Sequence, residues 1–351
     1  MSVREALARL VGGHHLTRDE ARAAMQSLVE GEATPSQIAG FAVALRMNGE
    51  TAEEIAGLAE VMRAAATRVD AGEDVVDLVG TGGDGSRTFN ISTLSAFVVA
   101  AAGGKVAKHG NRGVTSACGS ADFLEALGIA IDLPPDAVAY CVREAGFGFM
   151  FAPLYHPAMR HAVVPRREIG VRTVFNILGP LANPAGAKRQ LTGVAVPGLG
   201  DTLADVLTLL GSRHAMIVHG EDGLDEISIA APTLVHETRD GERRAYTITP
   251  EQFGLARAST DEVRGGTVEA NMALADAVLA GERGAARDVV LLNAGAGLYV
   301  AGIAASLEEG IQQAGIEIDS GRVRTAIARA VETARVAVAR TASAVHGDAN
   351  P

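Results

Sequence analysis

The sequence predicts an α/β protein: a small all-helical N-terminal domain plus a large α/β domain with a central, largely parallel sheet flanked by helices. Three observations predict it. Helix starts recur through the first seventy residues with no strand pattern before residue 74. Short β-branched runs alternate with helical periodicity from there on. The 351 residues, 48% hydrophobic and 21% charged, suffice for two or three packed units.

The helical domain is read from its caps. Thr17-Arg-Asp-Glu20 and Thr51-Ala-Glu-Glu54 fit the capping box, in which threonine oxygen takes a helix amide and glutamate reaches back. Thr34-Pro35-Ser36-Gln37 places proline at the first helical position, where its missing N–H costs nothing. Leu28, Ile38, Phe41, Leu45, Ile55, Leu58 and Met62 then recur at helical spacing.

In the second part, strands are expected at residues 75–79, 105–108, 147–151, 192–196 and 215–218, with polar strands near 233–237 and 246–249. Helices are expected at 93–102, 121–127, 136–145, 201–210 and about 268–280, 286–301 and 322–340. The stretch 157–185 interrupts the alternation with helical character. The expected division is therefore residues 1–70 with 157–185 in the helical domain, and 71–156 with 186–345 in the α/β domain.

Charge narrows the function. The net charge of −11 argues against a nucleic-acid scaffold, whose affinity rests on many phosphate contacts. Yet residues 85–120 hold Arg87, Lys105, Lys108 and Arg112 and no acid, and 157–190 hold six Lys or Arg against Glu168. Two positive islands in an acidic chain point to a local anionic ligand. Two cysteines, Cys118 and Cys141, exclude a disulfide scaffold and lead us to expect a reducing, cytoplasmic compartment. No apolar run approaches the ~18 residues of a membrane span, and the charged start carries no secretory pattern.

The motifs sit where strands end, which is where ligands collect in such sheets. Gly80-Thr-Gly-Gly-Asp-Gly85 follows the first strand; glycines admit an oxyanion to backbone amides because no Cβ intrudes. It satisfies G-x-G-x-x-G, but the helix opens some ten residues too late for a dinucleotide site, and residues 98–107 hold no acid. A tight turn is the bland alternative. Asn90, Ser92 and Thr93 look like the cap of the next helix, whose free amides and dipole favour phosphate. Lys108-His-Gly-Asn-Arg112, leading to Thr115, Ser116 and Ser120, resembles a second phosphate cradle, with solvated surface charge as the alternative and Ser120 as a cap. Asp225-Glu226 suits magnesium, which takes one or two carboxylates plus substrate phosphate. An arginine among Arg160, Arg166, Arg167 and Arg172 suits a carboxylate clamp, although spacing does not choose one.

Together these motifs resemble the anthranilate phosphoribosyltransferase family: GTGGDG at 80–85, NIST at 90–93, KHGNR at 108–112, GSAD at 119–122, HPAMR at 156–160, RTVFNILGPLANP at 172–184 and HGEDGLDEIS at 219–228. The resemblance runs from about residue 5 to about 340. It implies two domains joined by hinges, a homodimer through the helical domain, and a reaction in which anthranilate takes the phosphoribosyl group of 5-phosphoribosyl-1-diphosphate with Mg²⁺. It further implies that Gly80, Gly83, Asp84, Thr88, Asn90, Ile91, Ser92, Thr93, Lys108, His109, Gly110, Asn111, Arg112, Gly113, Val114, Thr115, Ser116 and Ser120 bind the diphosphate substrate. Gly80, Asn111 and Arg166 would place anthranilate, with His109 near its ring, and Ser92, Asp225 and Glu226 would hold metal. Neither nucleic acid nor membrane is an implied partner. Tyr155, Pro165 and Cys118 depart from the family pattern and bear on local helix geometry. A pyrimidine nucleoside phosphorylase is the nearest rival, and a non-catalytic nucleic-acid-binding relative is another; the retained Asp225 and Glu226 speak against the second.

Overall fold

The structure is a computed structural model that describes residues 1–113 and 117–347. Four helices open the chain: α1 Val3–Val11, α2 Arg18–Val29, α3 Pro35–Asn48 and α4 Ala52–Ala64. Each begins with a capping box, on Ser2, Thr17, Thr34 and Thr51. The second part runs β1 Val75–Gly80, α5 Ile91–Ala101, β2 Lys105–Gly110, α6 Ser120–Ala126, α7 Pro135–Ala145 and β3 Phe147–Phe151. The insert follows as α8 Ala152–Tyr155, α9 Arg160–Ile169 and α10 Phe175–Leu181. Then come β4 Arg189–Gly193, α11 Leu199–Leu209, β5 His214–Gly220, β6 Thr233–Arg239 and β7 Glu242–Ile248. Four helices close the described chain: α12 Val268–Leu279, α13 Ala285–Ala301, α14 Leu307–Asp319 and α15 Arg322–Gly347.

The seven strands form one sheet in the order β3-β2-β1-β4-β5-β6-β7. β3 through β5 are parallel and β6 and β7 antiparallel, so the sheet is largely parallel as expected. From β1 the chain first builds toward β2 and β3, then returns to lay β4 on the other flank. That makes β1/β4 the topological switch point, the crevice where open α/β sheets bind ligands. Gly80 and Gly193 are register partners at its carboxyl end.

Side chains alternate across the sheet and divide the core. On β5, Met216 and Val218 pack with α5, α7, α13 and α15, whereas Ala215 and Ile217 pack with α11, α10 and the N-terminal helices. The helical bundle is thus seated on one sheet face.

Several boundaries differ from the sequence expectation. β4 spans Arg189–Gly193 and ends where 192–196 is expected to be half done, because pairing with β1 runs from Arg189 to Gly193 and the chain then leaves the sheet. β7 starts at Glu242 because Asp240-Gly241, both at positive φ, makes a tight hairpin with β6. α14 is absent from the expected elements, although Ser306-Leu-Glu-Glu309 carries a cap signal and the Ser306 side chain accepts from Glu309 N. α9 accommodates Pro165 within the helix, and the Tyr155 hydroxyl donates to Leu133 O at 2.7 Å in the core.

Candidate active site

Three loops meet at the carboxyl end of the switch point. β1 ends at Gly80, and the chain turns through Gly82, Gly83 and Gly85, all at positive φ, before α5 begins. The turn after β5 carries Asp225 and Glu226 back over it. The Asp225 Oδ2 accepts from Gly82 N at 2.7 Å, and Glu226 Oε1 accepts from Ser92 N at 3.2 Å. A Cβ at Gly80 would lie 2.5 Å from Asp225 Oδ2, and one at Gly193 would overlap the Asp225 carbonyl oxygen. Both glycines are needed because the acidic turn is seated directly on the strand ends.

β2 delivers the cation. Lys108 is buried; its ammonium donates to Leu78 O and lies 3.3 Å from Ser92 Oγ. Burial pushes its pKa down, opposed by Asp77 and Glu226. Asp77 is held beneath the site by Asn183 Nδ2 at 2.7 Å and His109 N at 3.3 Å, and burial raises its pKa to about 6. Burial likewise raises the Asp225 pKa well above the ordinary carboxylate value, reinforced by the neighbouring Asp84 and Glu226 carboxylates. Glu226 is raised to about 7, by burial first and then by Asp84, against Lys108 and the Ser92 amide. Crowded carboxylates short of positive charge fit a divalent cation. Oxygen donors from Asp225, Glu226 and Ser92 suit a hard ion that keeps water and substrate phosphate as further ligands. Among the described residues no three His, Cys, Asp or Glu side chains are grouped to hold a metal by themselves.

The side-chain caps expected for the two helices are replaced by acids. Asn90 is the α5 N-cap residue but makes no side-chain cap bond; its amide faces Cys118 and Asn271. Glu226 supplies the acceptor from across the sheet. At α6 the cap residue is Gly119, and Asp122 Oδ2 accepts from both Gly119 N and Gly113 N at 2.9 Å. Ser120 is the first helical residue; its hydroxyl donates to Asn111 O at 3.2 Å.

The structure brings Gly80, Ser92, Lys108, Asp225 and Glu226 together, with Gly83, Asp84, Thr88 and Asn90 along the first loop and Gly110, Asn111, Gly113 and Ser120 along the second. Ile91 and Thr93 are buried in the core, and the Ile91 amide donates to Phe89 O at 2.7 Å, so neither side chain opens on the crevice. Arg112 is bound to Asp122 at 2.9 Å and to Glu125 at 2.5 Å. Val114, Thr115 and Ser116 lie outside the described residues. Arg166 is exposed, with its guanidinium 5.8 Å from the centre of the Phe175 ring. The arginine that touches the glycine loop is Arg172, which donates to Gly82 O. His109 Nδ1 lies 3.2 Å from Gly179 O, and its ring centre is 5.0 Å from that of His156.

Known proteins resemble this chain in sequence and in fold. The family model described as "Glycosyl transferase family, a/b domain" matches residues 72–324, and "Glycosyl transferase family, helical bundle domain" matches residues 4–66. An anthranilate phosphoribosyltransferase of Thermomicrobium roseum is 57% identical over 320 residues, covering 90% of this chain and 92% of that protein. One of Chromohalobacter salexigens is 55% identical over 312 residues, covering 89% and 91%. This chain belongs to the anthranilate phosphoribosyltransferase family. The crystal structure of the Thermus thermophilus enzyme superposes with a TM-score of 0.89 at 46% identity, covering 94% of this chain and 99% of that one. The Saccharomyces cerevisiae enzyme in complex with PRPP and Mg gives 0.85 at 28% identity, covering 95% and 98%. Family membership confirms the enzyme class and sets the phosphorylase and nucleic-acid readings aside.

Asn183, Asn271, Arg172 and Gly193 are site-supporting residues that sequence reasoning did not select. Asn183 and Arg172 lie inside the motif at 172–184, which was the available signal; Asn271 and Gly193 carry none.

Proposed function

We propose that the three loops bind one molecule of 5-phosphoribosyl-1-diphosphate at the β1/β4 crevice. The chain transfers its 5-phosphoribosyl group to the amino nitrogen of anthranilate, giving N-(5-phosphoribosyl)anthranilate and pyrophosphate, the second step of tryptophan biosynthesis. The observation that carries the site assignment is the reach of two carboxylates, Asp225 to Gly82 N and Glu226 to Ser92 N, onto both phosphate-facing elements.

In this reading Gly80, Gly83, Asp84, Thr88, Asn90 to Thr93, Lys108 to Ser116 and Ser120 surround the diphosphate substrate. Ser92, Asp225 and Glu226 hold Mg²⁺, which when bound supplies positive charge to the departing diphosphate. Lys108 and the amides at the start of α5 add preorganised donors to the same developing charge. Gly80, Asn111 and Arg166 orient anthranilate. Its aromatic amine is neutral at pH 7, so attack on the anomeric carbon needs neither prior deprotonation nor a protein nucleophile; positioning carries the rate.

Residues 1–70 with 157–185 then close on 71–156 with 186–345, moving Arg166 toward Gly80 and excluding water. Val11 and Met47, 74% and 81% exposed on α1 and α3, support a homodimer through the helical domain. The protein works in the cytoplasm. No helix among the described residues is long and apolar enough to cross a membrane.

Anthranilate fluorescence tests the assignment. Emission falls when enzyme, 5-phosphoribosyl-1-diphosphate and Mg²⁺ are mixed, and it persists after chelation or in Asp225→Asn. Undiminished turnover in Asp225→Asn and Glu226→Gln would remove these carboxylates from the site.

A further inference from the structure

We infer that Asn293, on α13, is a positioning residue that sets the placement of the Asp225-Glu226 pair. Asn293 is completely buried in a helix whose neighbouring positions are apolar. A buried amide is costly unless its hydrogen bonds are made, and this one makes three. Its Oδ1 accepts from Ile227 N at 2.9 Å, and its Nδ2 donates to Ile227 O at 3.0 Å and to Val289 O at 2.9 Å.

The two bonds to Ile227 reproduce the pairing one strand residue offers another, but with a side chain in place of a backbone. Ile227 is the residue immediately after Glu226, and its own side chain is buried. α13 is in turn held against β1: a Cβ at Gly297 would lie 2.9 Å from Leu78 and 2.9 Å from Val99. A rigid path therefore leads from the strand that ends at Gly80, through α13, to the backbone beside the carboxylates. The other end of the turn is anchored separately. Ser228 Oγ donates to Asp222 Oδ2 at 2.8 Å, Thr260 Oγ1 donates to the same oxygen at 3.2 Å, and Ser228 N donates to Thr233 Oγ1 at 2.9 Å. Those bonds tie the turn to itself, to the start of β6 and to Thr260, whereas the two bonds from Asn293 tie residue 227 to the helix beneath the crevice. Removing such a support leaves the ligands in place and loosens their aim.

The inference rests on the assignment of Asp225 and Glu226 as metal carboxylates, and the experiment separates the two. Mn²⁺ is titrated into the full-length protein in the presence of inorganic pyrophosphate, and free Mn²⁺ is read by electron paramagnetic resonance. Asn293→Ala is expected to weaken Mn²⁺ about tenfold, within the usual range for lost outer-shell support. Asp225→Asn is expected to weaken it at least as much. Leu298→Ala, an apolar truncation on the same helix, is expected to cost stability while leaving Mn²⁺ affinity unchanged. In steady state, Asn293→Ala raises KM for the diphosphate substrate and leaves KM for anthranilate where it was. If Asn293→Ala does not fold, Asn293→Ser, which lacks the amide that makes both bonds to Ile227 yet stays polar, takes its place with the same expectation. Wild-type Mn²⁺ affinity in the Asn293 variant, beside a loss in Asp225→Asn, overturns the positioning role alone. Wild-type affinity in Asp225→Asn overturns the metal assignment and the inference with it.

Discussion

The Ser92 amide donates to the Glu226 carboxylate at 3.2 Å, so the first turn of α5 is capped by a residue 134 positions away in sequence. An unpaired helix N-terminus is an anion site, and here an anionic side chain already sits at it. The same carboxylate faces Lys108 and Asp84. In the proposed reading, diphosphate entering this crevice would meet a helix start, a buried lysine and a pair of acids that a cation would bridge to it. A divalent ion bound there would let the proposed phosphate-facing elements and the carboxylates share one small volume without mutual repulsion.

Gly193→Ala is expected to cost more than Gly82→Ala. The added methyl at 193 overlaps the Asp225 carbonyl oxygen, whereas one at 82 meets nothing within 4 Å and only the left-handed φ of +65° is strained. Overpacking at 193 is expected to cost about 1–3 kcal/mol. The displaced Asp225 costs activity on the order of a hundredfold. Gly82→Ala is expected to cost about 1–2 kcal/mol of stability with a smaller loss of turnover. Chemical denaturation and steady-state kinetics on the two variants check the order.

Arg166 and Arg172 are expected to separate kinetically. Arg172 holds the glycine loop through Gly82 O, so Arg172→Ala raises KM for the diphosphate substrate. Arg166, exposed beside Phe175, is available to a carboxylate, so Arg166→Ala raises KM for anthranilate. A charged hydrogen bond is worth about 1.5–3 kcal/mol, so each shift is roughly tenfold to a hundredfold. Substrate titrations of both variants supply the test, and exchange of the two effects would reverse the assignment.

His109 and His156 are expected to stay neutral across the working range. Burial lowers them to about 3 and about 4 respectively, with the neighbouring His156 adding to the effect on His109. In the unfolded chain a histidine protonates near pH 6.5. Each buried ring therefore contributes a term that reduces stability as pH falls below about 6.5, because the unfolded state takes the proton first. Imidazole NMR checks this directly: the His109 and His156 resonances should show no titration between pH 8 and 5.

Glu237 lies at the opposite end of the sheet and is expected to govern stability alone. His214, Tyr246, Tyr299 and Arg244 all hydrogen-bond its carboxylate, and the shortest of these bonds, 2.6 Å, comes from the Tyr246 hydroxyl. Although burial opposes it, these bonds, led by that to His214, hold the carboxyl at about 2. Its folded value lies below its unfolded one, so its contribution is complete above about pH 4.3 and fades as pH falls toward 2. Glu237→Gln is expected to lose about 3 kcal/mol at pH 7, with the gap from wild type closing below pH 4, while KM for both substrates is unchanged.

The helical caps, the alternation of strands and helices and the glycine loop were legible because they are local: a capping box spans four residues and a strand five to seven. Long-range partners were not. Nothing near Ser92 announces that Glu226 will cap it, and nothing near Asp225 announces Gly193 or Asn293. Asn293 reads as one polar residue in an apolar helix, and only the sheet's strand order places it beneath Ile227. Arg172 was one of four arginines that spacing could not distinguish; the turn at Gly170, with φ of +67°, brings it to the glycine loop.

The most direct test is anomalous diffraction from crystals grown with Mn²⁺ and pyrophosphate. The expected result is manganese within coordination distance of Glu226 and Ser92 Oγ, with pyrophosphate lying between the start of α5 and the glycine loop. Manganese and pyrophosphate bound elsewhere, with Asp225 and Glu226 contacting neither, would contradict it.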